Sequence, residues 1–241
     1  MLALLVGCTQ ATIARYENGR IQSETHNTAL VLLQNPDNIK ATFERKKSEF
    51  TAYEKKAFEK SLDLKKADTV MMSLNLLKDS FDYEQDIYSG FKKFDSDKLM
   101  AVILFFAQNQ PLLYKTKLMK LLWYSDMLFF KENAVSMTGL KYIHQQYGPV
   151  PYKHSIILSV MEELGIIELE EQEYGDIVLP KASGNFLDRL SKAELEILKT
   201  VNSRFLHLKT KDISKLSHKE IGYRNTLMKE AISYEYSFAM K

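Results

Sequence analysis

Gln10 and Arg15, five positions apart, are side chains of the types that read base edges in duplex DNA. Glutamine bonds adenine in bidentate fashion and arginine does the same with guanine. They stand in Gly7-Cys8-Thr9-Gln10-Ala11-Thr12-Ile13-Ala14-Arg15-Tyr16-Glu17-Asn18-Gly19-Arg20. Gly7 tolerates the left-handed conformation that ends a helix, Thr9 is a good N-cap, and Asn18-Gly19 is a stop. The spacing predicts a helix from Gln10 to about Glu17, with Ile13 and Tyr16 facing in and Gln10 and Arg15 facing out. Thr9, Gln10, Ala11, Thr12 and Arg15 are thus candidate DNA contacts, and Asn18 and Arg20 sit where a loop reaches phosphate. The plain alternative is an ordinary amphipathic helix ended by Asn-Gly.

No comparable set exists for catalysis. Of the five histidines, His144 and His154 are ten apart, with no cysteine or spaced carboxylate to complete a metal site. His218 lies inside Ser217-x-x-Glu220, where packing or a hydrogen bond is its expected role. Ser125-Asp126 falls in mid-helix, without the strand-turn-helix elbow of a nucleophilic serine. Glu170, Glu171 and Glu173 read as a solvated hairpin tip. The nine glycines form no phosphate-binding motif. The expectation is a protein that is not an enzyme and has no metal or cofactor.

A second candidate surface is Tyr147-Gly148-Pro149-Val150-Pro151. Proline biases the preceding Gly148 towards extended backbone, and the two prolines stiffen the turn. Tyr142, Gln146, Tyr147 and Gly148 together are a candidate partner-binding edge, because aromatics on preordered backbone lose little entropy on binding. The competing role is a structural turn before a helix opened by Pro151.

The chain has 241 residues, enough for one large or two smaller domains, and a net charge of +2 that does not by itself argue for nucleic acid. The single cysteine, Cys8, excludes an internal disulfide. Met1-Leu-Ala-Leu-Leu-Val-Gly-Cys8 superficially resembles a lipoprotein signal, but no basic residue precedes its apolar run. No apolar stretch reaches the roughly 20 residues that span a bilayer. A cytoplasmic protein without membrane contact is expected.

The elements that position these residues are mostly helical. A helix is expected over 25–34, ended by Asn35-Pro36. From Ile39 to Lys66 there is no Gly or Pro, and Phe43, Phe50, Ala57 and Leu64 recur seven apart. That pattern predicts a connecting helix with one packed stripe, or a short dimerising coil, or a helix tracking phosphates. Residues 67–95 read as a linker with one helical piece near Val70–Leu77. Helices follow over Ser96–Gln108 and Thr116–Lys131, the latter apolar nearly all round and therefore central to a core. Another runs from Pro151 to Gly165. Alternation around Tyr174-Gly175-Asp176 predicts a β-hairpin over Ile166–Pro180. Ser191-x-x-Glu194 and Ser217-x-x-Glu220 read as capping boxes. The fold class is mainly α with one small hairpin: a partial helix-turn-helix over 1–38, a connecting helix and linker over 39–95, and a helical domain over 96–241.

Two resemblances sharpen this reading. The 7–20 string resembles the helix-turn-helix of Cro and phage repressors, although the chain starts inside the helix that precedes the turn. A recognition helix without its full packing partner is expected to bind DNA weakly. Residues 97–236 resemble the Panacea domain of SocA-like antitoxins and GepA-type phage-associated proteins. The strings are Lys117-Leu-Met-Lys120-Leu-Leu-Trp123-Tyr124-Ser-Asp126, Thr138-Gly139-Leu-Lys141-Tyr142, Tyr147-Gly148-Pro149-Val150-Pro151, Leu190-Ser191 through Glu194, Ser217-His218-Lys-Glu220 and Ile232-Ser-Tyr234-Glu235. The resemblance implies an antitoxin that neutralises its toxin by direct binding and regulates its own operon where the DNA module is complete. Its partners would be the cognate toxin, operator DNA and a second copy in a homodimer. The alternatives are a transcription regulator without a toxin, or an adaptor that delivers a bound protein to a protease.

Overall fold

The computed structural model describes residues 1–182 and 186–240. The chain divides into two compact units, Met1–Thr69 and Val70–Lys241. The border falls inside one helix, Ala52–Ser80.

In the first unit α1 (Leu2–Val6) ends at Gly7, whose φ of 86° is the left-handed stop expected there. Thr9 then caps α2 (Gln10–Glu17), its hydroxyl accepting the Thr12 N–H at 3.2 Å. Ser23 and Asn35 cap α3 (Glu24–Leu32) and α4 (Pro36–Arg45) in the same way. Although α1 has only five residues, it packs on α2, α3 and α4. Leu5 joins Phe43, Phe50 and Phe58 in a small core, where the Phe43 and Phe58 rings stack 4.0 Å apart. α2 thus has α1 as a packing partner.

The single connecting helix expected over 39–66 is interrupted. α4 stops at Arg45, a 3-10 turn covers Lys47–Glu49, and α5 (Ala52–Ser80) begins afresh. The cause is local: the Thr51 hydroxyl accepts the Glu54 N–H, while the Glu54 carboxylate accepts the Thr51 N–H at 2.9 Å. This reciprocal pair forms a capping box. The seven-residue spacing thus does not follow one helix face, and Leu64 is exposed while Phe43 and Phe50 are buried. Nor is 67–95 a loose linker. α5 continues to Ser80, Leu77 and Phe81 are buried, and the Tyr83 hydroxyl donates to the Gly139 carbonyl at 2.7 Å.

The second unit is built round α7 (Lys115–Asn133), which is buried on nearly every side. α6 (Ser96–Asn109), capped by Asp95, packs on it together with α9 (Lys192–Phe205), α10 (Thr210–Lys219), strand β2 (Gly148–Pro151) and the C-terminal 3-10 turn Tyr234–Ala239. Trp123, Tyr124, Phe106 and Phe205 fill the centre. α8 (His154–Glu163) ends before Gly165, and α11 (Ile221–Arg224) follows α10. Strands β3 (Ile167–Glu170) and β4 (Ile177–Pro180) form the expected antiparallel hairpin, with Leu169 opposite Val178. The fold is mainly α.

Three local readings are corrected. A further hairpin pairs β1 (Tyr142–Gln145) with β2 (Gly148–Pro151), so Pro151 closes a strand and does not open a helix. Its prolines are tolerated because they face His144 and Tyr142, whose backbone bonds run the other way, to Lys229, Glu230 and Ile232. An imide nitrogen aimed away from the β1–β2 ladder forfeits no strand bond. Of the two capping boxes, Ser191–Glu194 is present. Ser217 instead lies inside α10, with its hydroxyl donating to the Ser214 carbonyl at 2.8 Å.

Candidate functional site

An apolar helix core has no use for ammonium and carboxylate groups, yet α7 buries Lys117, Lys120 and Asp126. A buried charge is costly unless its hydrogen-bonding capacity is met. Asp126 meets the condition fully. Its carboxylate accepts the Met137 N–H at 2.9 Å, the Thr138 N–H at 2.8 Å, the Thr138 hydroxyl, and the Tyr142 hydroxyl at 2.7 Å. Burial pushes this carboxyl above the usual range, against the pull of those hydrogen bonds. The result is a tether between α7 and the 137–142 segment that leads into β1. The Tyr234 hydroxyl adds a bond to the Leu140 carbonyl at 2.8 Å.

Lys120 serves β2. Its ammonium donates to the Pro149 carbonyl at 2.9 Å, one of the groups that the β1–β2 ladder leaves free. Burial lowers the Lys120 amine from 10.5 to about 7. Gly148 lies over it with φ of 103°, so the glycine is not in the extended conformation expected before proline. A Cβ there would meet the Ser217 hydroxyl at 2.6 Å and Lys120 Cε at 2.7 Å.

The hairpin is clamped from its other side by Tyr223, whose hydroxyl donates to the Gln145 carbonyl at 2.9 Å. The Tyr223 ring lies 3.8 Å from that of His144 and 4.6 Å from that of His218, centroid to centroid. His218 thus has the packing role expected of it. Its burial lowers the imidazole's pKa, and the backbone of Tyr147 pulls the other way. On α7, the Tyr124 hydroxyl donates to Glu220 at 3.2 Å.

These supports hold up a two-residue tip. Tyr147 is 69% exposed and Gln146 is exposed beside it. Tyr142, by contrast, is fully buried on Asp126, and Gly148 is buried on Lys120, so neither forms part of an outer edge. The four residues therefore divide into two that are exposed, Gln146 and Tyr147, and two that are buried, Tyr142 and Gly148. Beside the tip is a cavity of about 400 Å³ whose walls include Thr116, Gln146, Tyr147, His154 and Leu158. The roles of Lys120 and Asp126 were missed in the sequence, where the signal was charged residues on a helix otherwise apolar all round.

In the first unit Thr9, Gln10, Ala11, Arg15, Asn18 and Arg20 are exposed, and Thr12 is half-buried against Thr9. Asn18 is partly committed, since its amide donates to the Ala14 carbonyl at 2.8 Å. The inward face of α2 is tied to α3 by the Tyr16 hydroxyl and His26 Nδ1, 2.7 Å apart. No helix among the described residues is long and apolar enough to cross a membrane.

Comparison with known families matches residues 118–222 to the antitoxin SocA-like, Panacea domain. No curated protein and no solved structure matches the chain. The matched stretch contains Asp126 with its donors Met137, Thr138 and Tyr142, Lys120 with Pro149, and the Tyr223 clamp lies one residue beyond it. This buried framework thus spans the stretch that is similar to the antitoxin SocA-like, Panacea domain.

Proposed function

We propose that the protein is an antitoxin that neutralises a partner toxin by direct binding, using the exposed tip of the β1–β2 hairpin as part of the contact. The observation that carries this reading is the Panacea match over 118–222, which supports an antitoxin-type role. The choice of surface rests on Tyr147 and Gln146, presented on a backbone held by Lys120 and Tyr223. An aromatic on rigid backbone is a good binding anchor because little freedom remains to be lost. Toxin and antitoxin would meet in the cytoplasm.

The test is growth rescue of cells expressing the toxin encoded beside this gene. Full-length protein is compared with the Val70–Lys241 unit expressed alone. Rescue by both is expected, since the Panacea framework lies in that unit. A soluble unit that gives no rescue, while the full chain does, would count against it.

A second activity is favoured by the solvent-facing placement of Gln10 and Arg15 on α2, behind a left-handed turn at Gly7. On this reading the first unit binds operator DNA and the protein represses its own operon. A mobility-shift assay on the upstream region, at two salt concentrations, checks it; binding that does not distinguish operator from unrelated DNA would oppose it.

A further inference from the structure

A second cavity, of about 510 Å³, opens between the start of α7 and the start of α10, and its walls include Lys115, Lys117, Tyr174, Leu206, Lys209 and Lys211. Its volume lies in the range of small-molecule sites, roughly 300–1,000 Å³. Asp176 is the one acid among its described lining residues, and it is paired to Lys115 at 2.6 Å. That leaves the ammoniums of Lys117, Lys209 and Lys211 without a carboxylate partner in the cavity.

Three further observations point at one kind of ligand. Lys117 is only 3% exposed, yet among the described residues the sole acceptor of its ammonium is the Leu206 carbonyl, at the long distance of 3.4 Å. A buried ammonium has three donors to satisfy, and here two have no acceptor among the described residues. Both helix starts are uncapped by side chains: neither Tyr114 nor Lys209 offers an oxygen to the first turn. Among the described residues the N–H groups of Thr116, Lys117, Thr210 and Lys211 consequently have no backbone or side-chain acceptor. Such amides, at the positive end of the helix dipole, suit an anion. The walls also include Tyr174, 82% exposed at the turn of the β3–β4 hairpin, and the apolar side chains of Leu112 and Leu208.

We infer that this cavity binds a phosphate-bearing small molecule of nucleotide dimensions. The phosphates would meet Lys117, Lys209, Lys211 and the two helix starts, and the planar base would lie against Tyr174. Phosphate suits the basic half because several donors converge there and phosphate has several acceptor oxygens. An aromatic face suits a base because every base has a π-face to stack on it. The cavity adjoins the one beside the hairpin tip, sharing Lys115 and Thr116 with it, but neither Gln146 nor Tyr147 lines it.

The test is calorimetric titration of the full-length protein with inorganic pyrophosphate and with ATP, GTP, CTP and UTP, at low and at physiological salt. Saturable one-to-one binding is expected, with pyrophosphate competing against the nucleotide. The exposed double substitution Lys209→Glu with Lys211→Glu should weaken both probes at least tenfold without changing the thermal midpoint. Tyr174→Ala should weaken the nucleotide and leave pyrophosphate unchanged. Failure of every probe to bind saturably, or binding indifferent to the charge reversals, overturns the site. A nucleotide that binds no more tightly than pyrophosphate overturns the assignment of the aromatic half.

Discussion

Gly148 and Lys120 fit against each other so closely that neither side chain position is free to change. A Cβ on Gly148 would stand 2.7 Å from Lys120 Cε and 3.0 Å from its ammonium nitrogen, while that ammonium holds the carbonyl of the next residue, Pro149. The backbone at Gly148 also has φ of 103°, which L side chains rarely adopt. Gly148→Ala therefore combines strain with overpacking, each of which costs about 1–3 kcal/mol. Urea unfolding should show the midpoint falling with little change in slope. A midpoint within error of wild type would mean that the hairpin relaxes freely around Lys120.

The same lysine sets a pH dependence. Burial lowers its amine from 10.5 to about 7, so between those values the unfolded chain binds a proton that the folded chain does not. Stability then rises with pH across that window, by at most about 1.4 kcal/mol per pH unit, and is lost again as pH falls towards 7. Lys120→Met should flatten the slope between pH 7 and 10 in parallel denaturation series. Equal slopes for the two proteins would show that the folded amine keeps its proton.

Removing one oxygen from the Asp126 network is a milder change. Tyr142→Phe deletes a hydrogen bond of 2.7 Å to a buried carboxylate that keeps its bonds from Met137 and Thr138. Hydrogen bonds to charged groups contribute about 1.5–3 kcal/mol, and a loss of that size is expected in the unfolding free energy. Because the phenol is fully buried, toxin affinity should be unaffected wherever the variant is folded. Weaker binding by a folded Tyr142→Phe protein would restore this residue to the contact surface.

Much of the architecture was legible where its determinants are local. Gly7, Thr9 and the Ser191–Glu194 box mark helix ends with side chains that act within four residues, and each works as read. What escaped the sequence depends on partners far along the chain. α5 runs through 67–80 because Leu77 and Ser73 are buried in the second unit, while Met71, Met72 and Leu76 remain exposed, so no clean apolar period announces it. The β1–β2 hairpin was hidden by Pro149 and Pro151, which are acceptable only because the opposing residues bond to 229–232. For the site, type and position gave the exposed Gln146 and Tyr147. They could not separate these from Tyr142, whose burial is decided by Asp126, sixteen residues earlier.

On DNA, the two arginines should behave differently. Arg15 lies on the outer side of α2, suited to a base edge, and Arg20 follows the helix, suited to phosphate. Arg15→Ala should cost about 1–3 kcal/mol and relax preference at one base position. Arg20→Ala should weaken all sequences alike and reduce the salt slope by about 1. Competition mobility shifts over a set of single-base operator variants distinguish the two. A uniform loss from Arg15→Ala would reverse the roles.

Neutralisation should separate the hairpin tip from what supports it. Tyr147 is 69% exposed, so Tyr147→Ala should change stability by no more than about 0.5 kcal/mol, as is usual for surface positions. If its ring is an anchor, the same change should weaken toxin binding by roughly 1–2 kcal/mol or more, at least several-fold in Kd. His218→Ala should do the opposite. It removes a ring stacked 4.6 Å from Tyr223, so it should destabilise the fold by about 1 kcal/mol. Tyr223 keeps its own bond to the Gln145 carbonyl, so the tip should stay in place and rescue should persist. The measurements are growth rescue against the adjacent toxin, soluble protein level and unfolding midpoint for each variant. A stable Tyr147→Ala protein with undiminished rescue would move the contact away from the tip. A well-folded His218→Ala protein that fails to rescue would give that imidazole a direct role in neutralisation that stacking does not provide.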